Sequence, residues 1–313
     1  MLVPYLVFLV ALGILIFSAR KFTQSAETLG TFFGMPSFVI GVFIVGIGTS
    51  LPELVSAILA VNQGVSEIVP GNVFGSNISN ILLITGTLAL LHKIDIHLSS
   101  KYIFIDLHYL LGSVFVLVLF AYDGVIEWHE SVVGLIIFLV YSIYLVKDEA
   151  PELQQKNLKF PKQGSFPIKS LGLLLLAGVG IYFGADYTIS SLQDIAHGLS
   201  IPNSVIALTV LSIGTTLPEL VVNITAIRQG KAEMALGNVL GSCVFNSLMV
   251  PSVASFFGPI TVPDNLLHFS LPVMAGAALF FYLITHDKRV SRWEGMLFIM
   301  IYVLFLVKIV VRN

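Results

Sequence analysis

The sequence predicts an all-α membrane protein of ten transmembrane helices, arranged as two inverted five-helix repeats. Three observations carry this prediction. The 313 residues are 56% hydrophobic and 11% charged, against about 25% charge in a soluble domain. The one long polar connection, residues 147–169, divides the apolar segments five and five. Finally, the segment Gly48–Asn80 returns 166 residues later as Gly214–Asn246, with 18 of 33 positions identical in a gapless alignment.

A bilayer core needs about 20 apolar residues per helix. Scanning on that length places spans at 2–18, 37–62, 68–91, 103–121, 130–146, 170–189, 203–227, 233–256, 266–285 and 293–311. Residues 2–18 are apolar without a preceding basic stretch, and Arg20 and Lys21 follow them. This reads as a first span rather than a cleaved signal peptide. Trp128 and Trp293 each begin a span and suit an interfacial belt. The Lys, Gln and Pro of residues 147–169 read as a solvated linker, because 23 residues cannot bury a core. The domain reading is therefore a first repeat, 1–146, a cytoplasmic linker, 147–169, and a second repeat, 170–313.

Sorting the basic residues tests the span count. The loops after spans 1, 3, 5, 7 and 9 hold 14 of the 16 Lys and Arg residues, leaving Lys308 and Arg312 at the C-terminal end. By the positive-inside rule those loops are cytoplasmic and both termini lie outside. Five spans per half is an odd number, so the second half enters the membrane upside down. That is the inverted-repeat plan of secondary transporters, whose binding sites lie near the midplane at the repeat interface. The offset of 166 also pairs Phe17 with Phe183, Ala19 with Ala185 and Pro36 with Pro202, and it fades past residue 82.

Lipid-facing positions drift among Leu, Ile and Val, so the matched polar residues point to a shared site. Gly48-Thr49-Ser50-Leu51-Pro52-Glu53 lies mid-span and recurs as Gly214-Thr215-Thr216-Leu217-Pro218-Glu219. Proline removes an amide hydrogen and crowds the carbonyl four residues back, here Gly48. A break or kink around 46–50 is expected, with freed carbonyls that only protein or a bound ion can satisfy at that depth. The Thr and Ser hydroxyls stand beside those carbonyls, and Glu53 and Glu219 follow on the same face. In the next span, Gly71, Asn72, Gly75, Ser76 and Asn80 recur as Gly237, Asn238, Gly241, Ser242 and Asn246. Ser76 and Asn80 share a helix face, and the small glycines admit a close neighbour. Spans 2, 3, 7 and 8 therefore hold the ligand candidates.

The pooled donors are carboxylate, hydroxyl, amide oxygen and backbone carbonyl, a set that suits hard cations such as Ca²⁺, Mg²⁺ or Na⁺. Two bare carboxylates would each cost about 2.5–3.5 kcal/mol on insertion scales. One divalent or two monovalent cations neutralise them. Ca²⁺ tolerates flexible coordination better than Mg²⁺ does, and competition between Na⁺ and Ca²⁺ for one pocket would give exchange.

Each residue also has a plainer role available. A lone Thr or Ser hydroxyl often bonds back to its own helix, and Asn72 and Asn238 fit interhelical hydrogen bonds equally well. Asp106 and Asp186 fall near span ends where water can reach, which favours structural or gating roles. The seven histidines show no metal-ligand spacing. Cys243, the single cysteine, reads as a small packing residue. The near balance of 16 basic and 18 acidic residues argues against a nucleic-acid partner.

At these motifs the chain resembles the cation/Ca²⁺ exchanger superfamily, specifically its prokaryotic Na⁺/Ca²⁺ exchanger branch. The paired G-T-S/T-L-P-E and G-N-x-x-G-S-x-x-x-N segments look like that family's two α-repeats. The resemblance implies four ion sites at the midplane between helices 2, 3, 7 and 8, one taking Ca²⁺ and the others Na⁺. Carried over, Glu53 and Glu219 are the central ligands. Thr49, Ser50, Thr215, Thr216, Ser76 and Ser242 supply oxygens, Asn80 and Asn246 face one another, and Gly46 and Ser212 offer backbone carbonyls. Spans 1 and 6 would be the gating helices that slide over the other eight. Several members of the family carry aspartate where this chain has Asn246, so this pocket holds two formal negative charges.

The function expected is secondary antiport of Na⁺ against Ca²⁺ by alternating access, with the ions as substrates, no cofactor, no enzymatic step and a monomer embedded in lipid. The same fold coupled to H⁺ or K⁺ is the nearest alternative. A cation channel and an intramembrane acid–base enzyme come next. The enzyme is disfavoured because an acid and a base need unlike environments, and the repeat makes these alike.

Overall fold

The computed structural model describes residues 2–91, 103–155, 165–199, 216–285 and 290–312, which are helical apart from their turns and two short strands. In chain order the helices are α1 (Leu2–Phe32), α2 (Ser37–Asn62), α3 (Ile68–Leu91), α4 (Ile103–Ala121), α5 (Trp128–Gln155), α6 (Ile168–Gly198), α7 (Leu217–Arg228), α8 (Ala232–Ser255), α9 (Leu266–Thr285) and α10 (Arg292–Arg312). Each apolar segment read from the sequence overlaps one of them. Among the described residues, seven (α1, α2, α3, α5, α6, α8 and α9) are long and apolar enough to cross a membrane. The first part of the expected seventh span, residues 203–215, lies outside the described residues.

Three expectations about boundaries need correction. α1 does not end at residue 18: it runs through Arg20 and Lys21 to Phe32, stabilised beyond the apolar stretch by packing on α6. Its polar residues close on themselves, as when Thr23 Oγ1 donates to the Ala19 carbonyl at 3.0 Å and Thr28 Oγ1 to the Gln24 carbonyl at 2.9 Å. α6 likewise extends to Gly198. α5 continues nine residues into the expected linker, to Gln155.

Of the break or kink expected at residues 46–50, a break is absent, because α2 passes through Pro52 as a continuous helix. A wide π-helical segment, Gly41–Gly46, precedes it, and a second, Ser79–Ile84, lies in α3. π-Helical turns loosen the hydrogen-bond ladder without ending the helix.

The two copies of the repeat share a backbone signature. α2 ends with Gly64 at φ +74° and with the Val65 amide donating to the Ala60 carbonyl. α7 ends with Gly230 at φ +76° and with the Lys231 amide donating to the Ala226 carbonyl. This is the left-handed glycine cap, which a Cβ would strain, and its partners differ by 166 residues at every position.

The buried apolar residues form two clusters, and α2, α7 and α8 contribute to both. The main core gathers α3, α4, α8, α9 and α10 around Phe74, Leu82, Phe245, Phe281 and Phe298, all at most 2% exposed. A smaller cluster joins α1 and α6 through Leu15, Ala19, Phe22, Ala177, Ile181 and Ala185. These two helices run antiparallel, Leu15 against Gly184 and Ser18 against Gly180, and Phe32 meets Phe166 edge to face at 5.5 Å. Their outer faces present Leu9, Phe17, Leu175 and Leu176, each more than 60% exposed, as expected of lipid-facing surface.

α8 is the most enclosed span, 94% of its apolar window being buried. α2 lies directly on it: a Cβ on Gly237 or Gly241 would strike the carbonyls of Phe38 and Val42, and one on Gly46 would crowd the Ser242 amide. Residues at the matching place opposite Gly71 and Gly75, around 204–208, lie outside the described residues. Gly241→Ala is expected to cost about 1–3 kcal/mol by overpacking, read as a melting temperature lowered by a few degrees in detergent. An unchanged melting temperature would mean that α2 and α8 are not in contact there.

Loop contacts sort into two sets. β1 (Val125–Ile126), between α4 and α5, pairs antiparallel with β2 (Ile260–Thr261), between α8 and α9, in the register Val125↔Thr261. The Thr261 amide also donates to Ser66 Oγ, between α2 and α3, at 3.2 Å. At the other set of ends, Lys231, between α7 and α8, pairs with Glu27 of α1 at 2.7 Å. Gly86 near the end of α3 lies against Gly295 at the start of α10.

Candidate cation site

Four helices bring the repeat residues together at the centre of the molecule. Thr49, Ser50 and Glu53 lie on α2, Ser76 and Asn80 on α3, Thr216 and Glu219 at the start of α7, and Ser242 and Asn246 on α8. Each of these is at most 8% exposed, and Glu219 is at 2%. Gly46, at the end of the π-helical segment of α2, is buried as well. Thr215 and Ser212 lie outside the described residues.

The Glu53 and Glu219 carboxyls, one from each repeat, lie close enough to interact directly. Beside them α2 and α8 are joined by shared oxygens. Thr49 Oγ1 and Ser242 Oγ both lie 3.3 Å from the Gly46 carbonyl, and both lie 3.3 Å from Asn238 Oδ1. In the other repeat, Ser76 Oγ faces Asn72 Oδ1 at 3.5 Å, the same pairing 166 residues earlier. Asn80 lies within the π-helical segment of α3 and Gly46 closes that of α2, so the loosened turn of each of these two helices holds a site residue.

Buried polar atoms are normally hydrogen-bonded, and several here are not. Among the described residues, Ser50 Oγ, Asn80 Oδ1, Glu219 Oε2 and both amide atoms of Asn246 have no hydrogen-bond partner. A cluster of buried oxygens, two of whose members are carboxyls, is electrostatically matched by a cation and by little else. No imidazole is among these residues, and the set is the hard-oxygen chemistry expected from the sequence.

Other residues escaped the sequence reading. Asn77 Nδ2 donates to Ser247 Oγ at 2.8 Å, which ties α3 to α8, while its Oδ1 has no partner among the described residues. Cys243 occupies the position equivalent to Asn77 in the second copy and lies against the Asn80 side chain, so it belongs to the wall of the site and not to remote packing. Asn223, one turn beyond Glu219, is 1% exposed. Its signal in the sequence was a mismatch between otherwise similar copies, Ala57 against Asn223.

Two acids away from the site behave differently from one another. Asp186 is exposed. Asp106, expected within reach of water, is instead completely buried and accepts a 2.8 Å hydrogen bond from Tyr141 of α5. The sequence does not reveal this, because the ring that covers Asp106 lies on the next helix.

Comparison with known proteins agrees with the site. The family described as sodium/calcium exchanger protein matches residues 3–147 and 169–311. The chain is 34% identical to the sodium/calcium exchanger MaX1 of Methanosarcina acetivorans over 347 aligned positions, covering 97% of this chain and 98% of that one. It is 31% identical to the uncharacterized membrane protein MJ0091 of Methanocaldococcus jannaschii, covering 95% of each. A solved structure of the sodium-calcium exchanger NCX_Mj superposes with a TM-score of 0.83 at 28% identity, over 98% of this chain and 99% of that one. A duplicated acidic motif that closes on itself, matched along almost the entire chain by these relatives, places the protein in the sodium/calcium exchanger family.

Proposed function

We propose that the protein is a secondary antiporter that exchanges Na⁺ for Ca²⁺ across a membrane by alternating access. One observation carries the proposal: two carboxyls from equivalent places in the two repeats meet inside a shell of buried hard oxygens. Ca²⁺ seeks about 6–8 oxygen ligands and tolerates irregular geometry. Glu53 and Glu219 supply its countercharge, and Thr49, Ser50, Thr215, Thr216, Ser76, Ser242, Asn80 and Asn246, with the Gly46 and Ser212 carbonyls, supply further oxygens to it and to Na⁺. Emptying the pocket leaves two carboxylates facing each other in low dielectric, a cost relieved only by new cations. The empty form therefore resists changing sides, and that resistance couples the two fluxes.

The architecture we assign is ten spans in two inverted repeats, with both termini outside and residues 147–169 in the cytoplasm. The loop contacts support it. β1 with β2, and Ser66 with Thr261, join only loops that follow even-numbered spans. Lys231 with Glu27, and Gly86 with Gly295, join only chain ends next to loops that follow odd-numbered spans. Alternation across a bilayer requires that sorting. A lipid-embedded monomer suffices, since the internal repeat supplies both halves of the site.

The test is uptake of radiolabelled Ca²⁺ into proteoliposomes loaded with Na⁺, with K⁺, with choline or under a proton gradient. Uptake is expected only against an outward Na⁺ gradient. Uptake driven equally well by K⁺ or by protons would overturn the coupling ion while keeping the site, and flux that ignores all counter-gradients would indicate a channel.

A further inference from the structure

The two repeats are unequal one turn beyond their glutamates. After Glu53 the buried residue is Ala57, 3% exposed; after Glu219 it is Asn223, 1% exposed. Spacing of four residues puts Asn223 on the face of α7 that carries Glu219, and helical side chains lean toward the N-terminus, back over the preceding turn. Asn223 Nδ2 donates to the Glu219 backbone carbonyl at 2.9 Å. This bond fixes the plane of the amide and holds Oδ1 beside the glutamate turn. Among the described residues, Asn223 Oδ1 has no hydrogen-bond partner, and neither has Glu219 Oε2. A bare amide oxygen buried to this degree is costly unless something accepts its lone pairs.

We propose that Asn223 Oδ1 is a further ligand for a hard cation held at Glu219, with no counterpart at Ala57, so that the pocket is asymmetric. The assignment rests on the exchange reading above. In the topology assigned there, α7 runs toward the cytoplasm past Glu219, so the extra oxygen lies on the cytoplasmic side of the carboxyl pair. A methyl group occupies the equivalent place on the opposite side.

The experiment reads binding without transport, as the melting temperature of detergent-purified protein titrated with NaCl or with CaCl₂. Asn223→Ala is expected to raise the half-saturating concentration of at least one cation about tenfold, the scale of losing a polar contact to a charged group. Asn223→Asp separates ligation from helix positioning, because it keeps the oxygen and loses the donor to the Glu219 carbonyl. Retained or tighter binding in Asn223→Asp supports ligation; weakening equal to that of Asn223→Ala overturns it. Unchanged half-saturation for both cations in Asn223→Ala also overturns it. Wild-type protein that neither Na⁺ nor Ca²⁺ stabilises would sink the exchange reading itself, which is a distinguishable failure. The arms of the titration tell whether the cation is Na⁺ or Ca²⁺.

Discussion

Glu53→Gln, and separately Glu219→Gln, is expected to reduce Na⁺-driven Ca²⁺ uptake to the level of empty liposomes. Glutamine preserves shape and volume, so the packing of α2 against α8 survives and the purified protein should remain monodisperse. What is lost is half of the countercharge in a buried pocket. Removing one partner of a buried charge arrangement costs about 3–5 kcal/mol, which at 1.4 kcal/mol per decade is about two to three and a half decades in affinity. A second signature follows from the same electrostatics. In cation-free buffer the two carboxyls repel, so either variant should melt no lower than the wild type, while its stabilisation by Ca²⁺ disappears. An ordinary structural glutamate would behave in the opposite way, melting lower and retaining its Ca²⁺ response. Substantial uptake by Glu53→Gln, above a tenth of wild type, would remove the carboxyl pair from the centre of the mechanism.

Much of this site was legible because the membrane penalises polar residues that do no work. Glu53 and Glu219 stand out in apolar segments, and duplication removes coincidence as an explanation. Hydropathy located the helix cores for a related reason: a lipid-facing stretch has to satisfy its backbone internally. It failed where helices leave that regime. Past Ser18, α1 carries Arg20, Lys21, Gln24 and Glu27, which read as a loop. The helix continues there because α6 and α7 lie alongside, an effect of tertiary packing that no local window contains.

The finer chemistry was hidden for a different reason. Pro52 announced irregularity in α2, but the irregularity lies upstream, in a widened segment at Gly41–Gly46 beside the place where Phe38 and Val42 meet Gly237 and Gly241 of α8. Asp106 looked accessible because it opens a span, yet Tyr141, 35 residues on, seals it. Asn77 and Ser247 lie 170 residues apart and off the matched register, so the repeat could not pair them. Asn223 was visible only as a mismatch. Symmetry in the sequence exposed the shared machinery, and departures from symmetry are where this chain's own properties reside.

Tethering α1 to the start of α8 is expected to stop transport reversibly. The smaller hydrophobic cluster centres on α1 and α6 and its buried residues meet α2, α7 and α8 through Ile40, Val45, Val222 and Met234, and the resemblance assigns α1 and α6 a sliding motion. At the α1 end that lies beside the turn between α7 and α8, they are pinned by polar contacts. Gln229 Nε2 donates to Thr23 Oγ1 at 2.9 Å, and Lys231 Nζ pairs with Glu27 at 2.7 Å. The Glu27 side chain is 46% exposed, and an ion pair of that kind is worth about 0–1 kcal/mol. Such pins can register one position and still release in each cycle. Glu27→Cys with Lys231→Cys, in a Cys243→Ser background, places two thiols where this pair now stands. A short bifunctional thiosulfonate bridging them should lower Ca²⁺ uptake more than tenfold. Reduction should restore it, and a long flexible bridge should leave most of the rate. Glu27→Ala alone should change uptake little, since the pair is weak. If the tightly bridged protein exchanges at the unbridged rate, α1 keeps its place on α8 throughout the cycle, and access to Glu53 and Glu219 has to alternate by motion elsewhere.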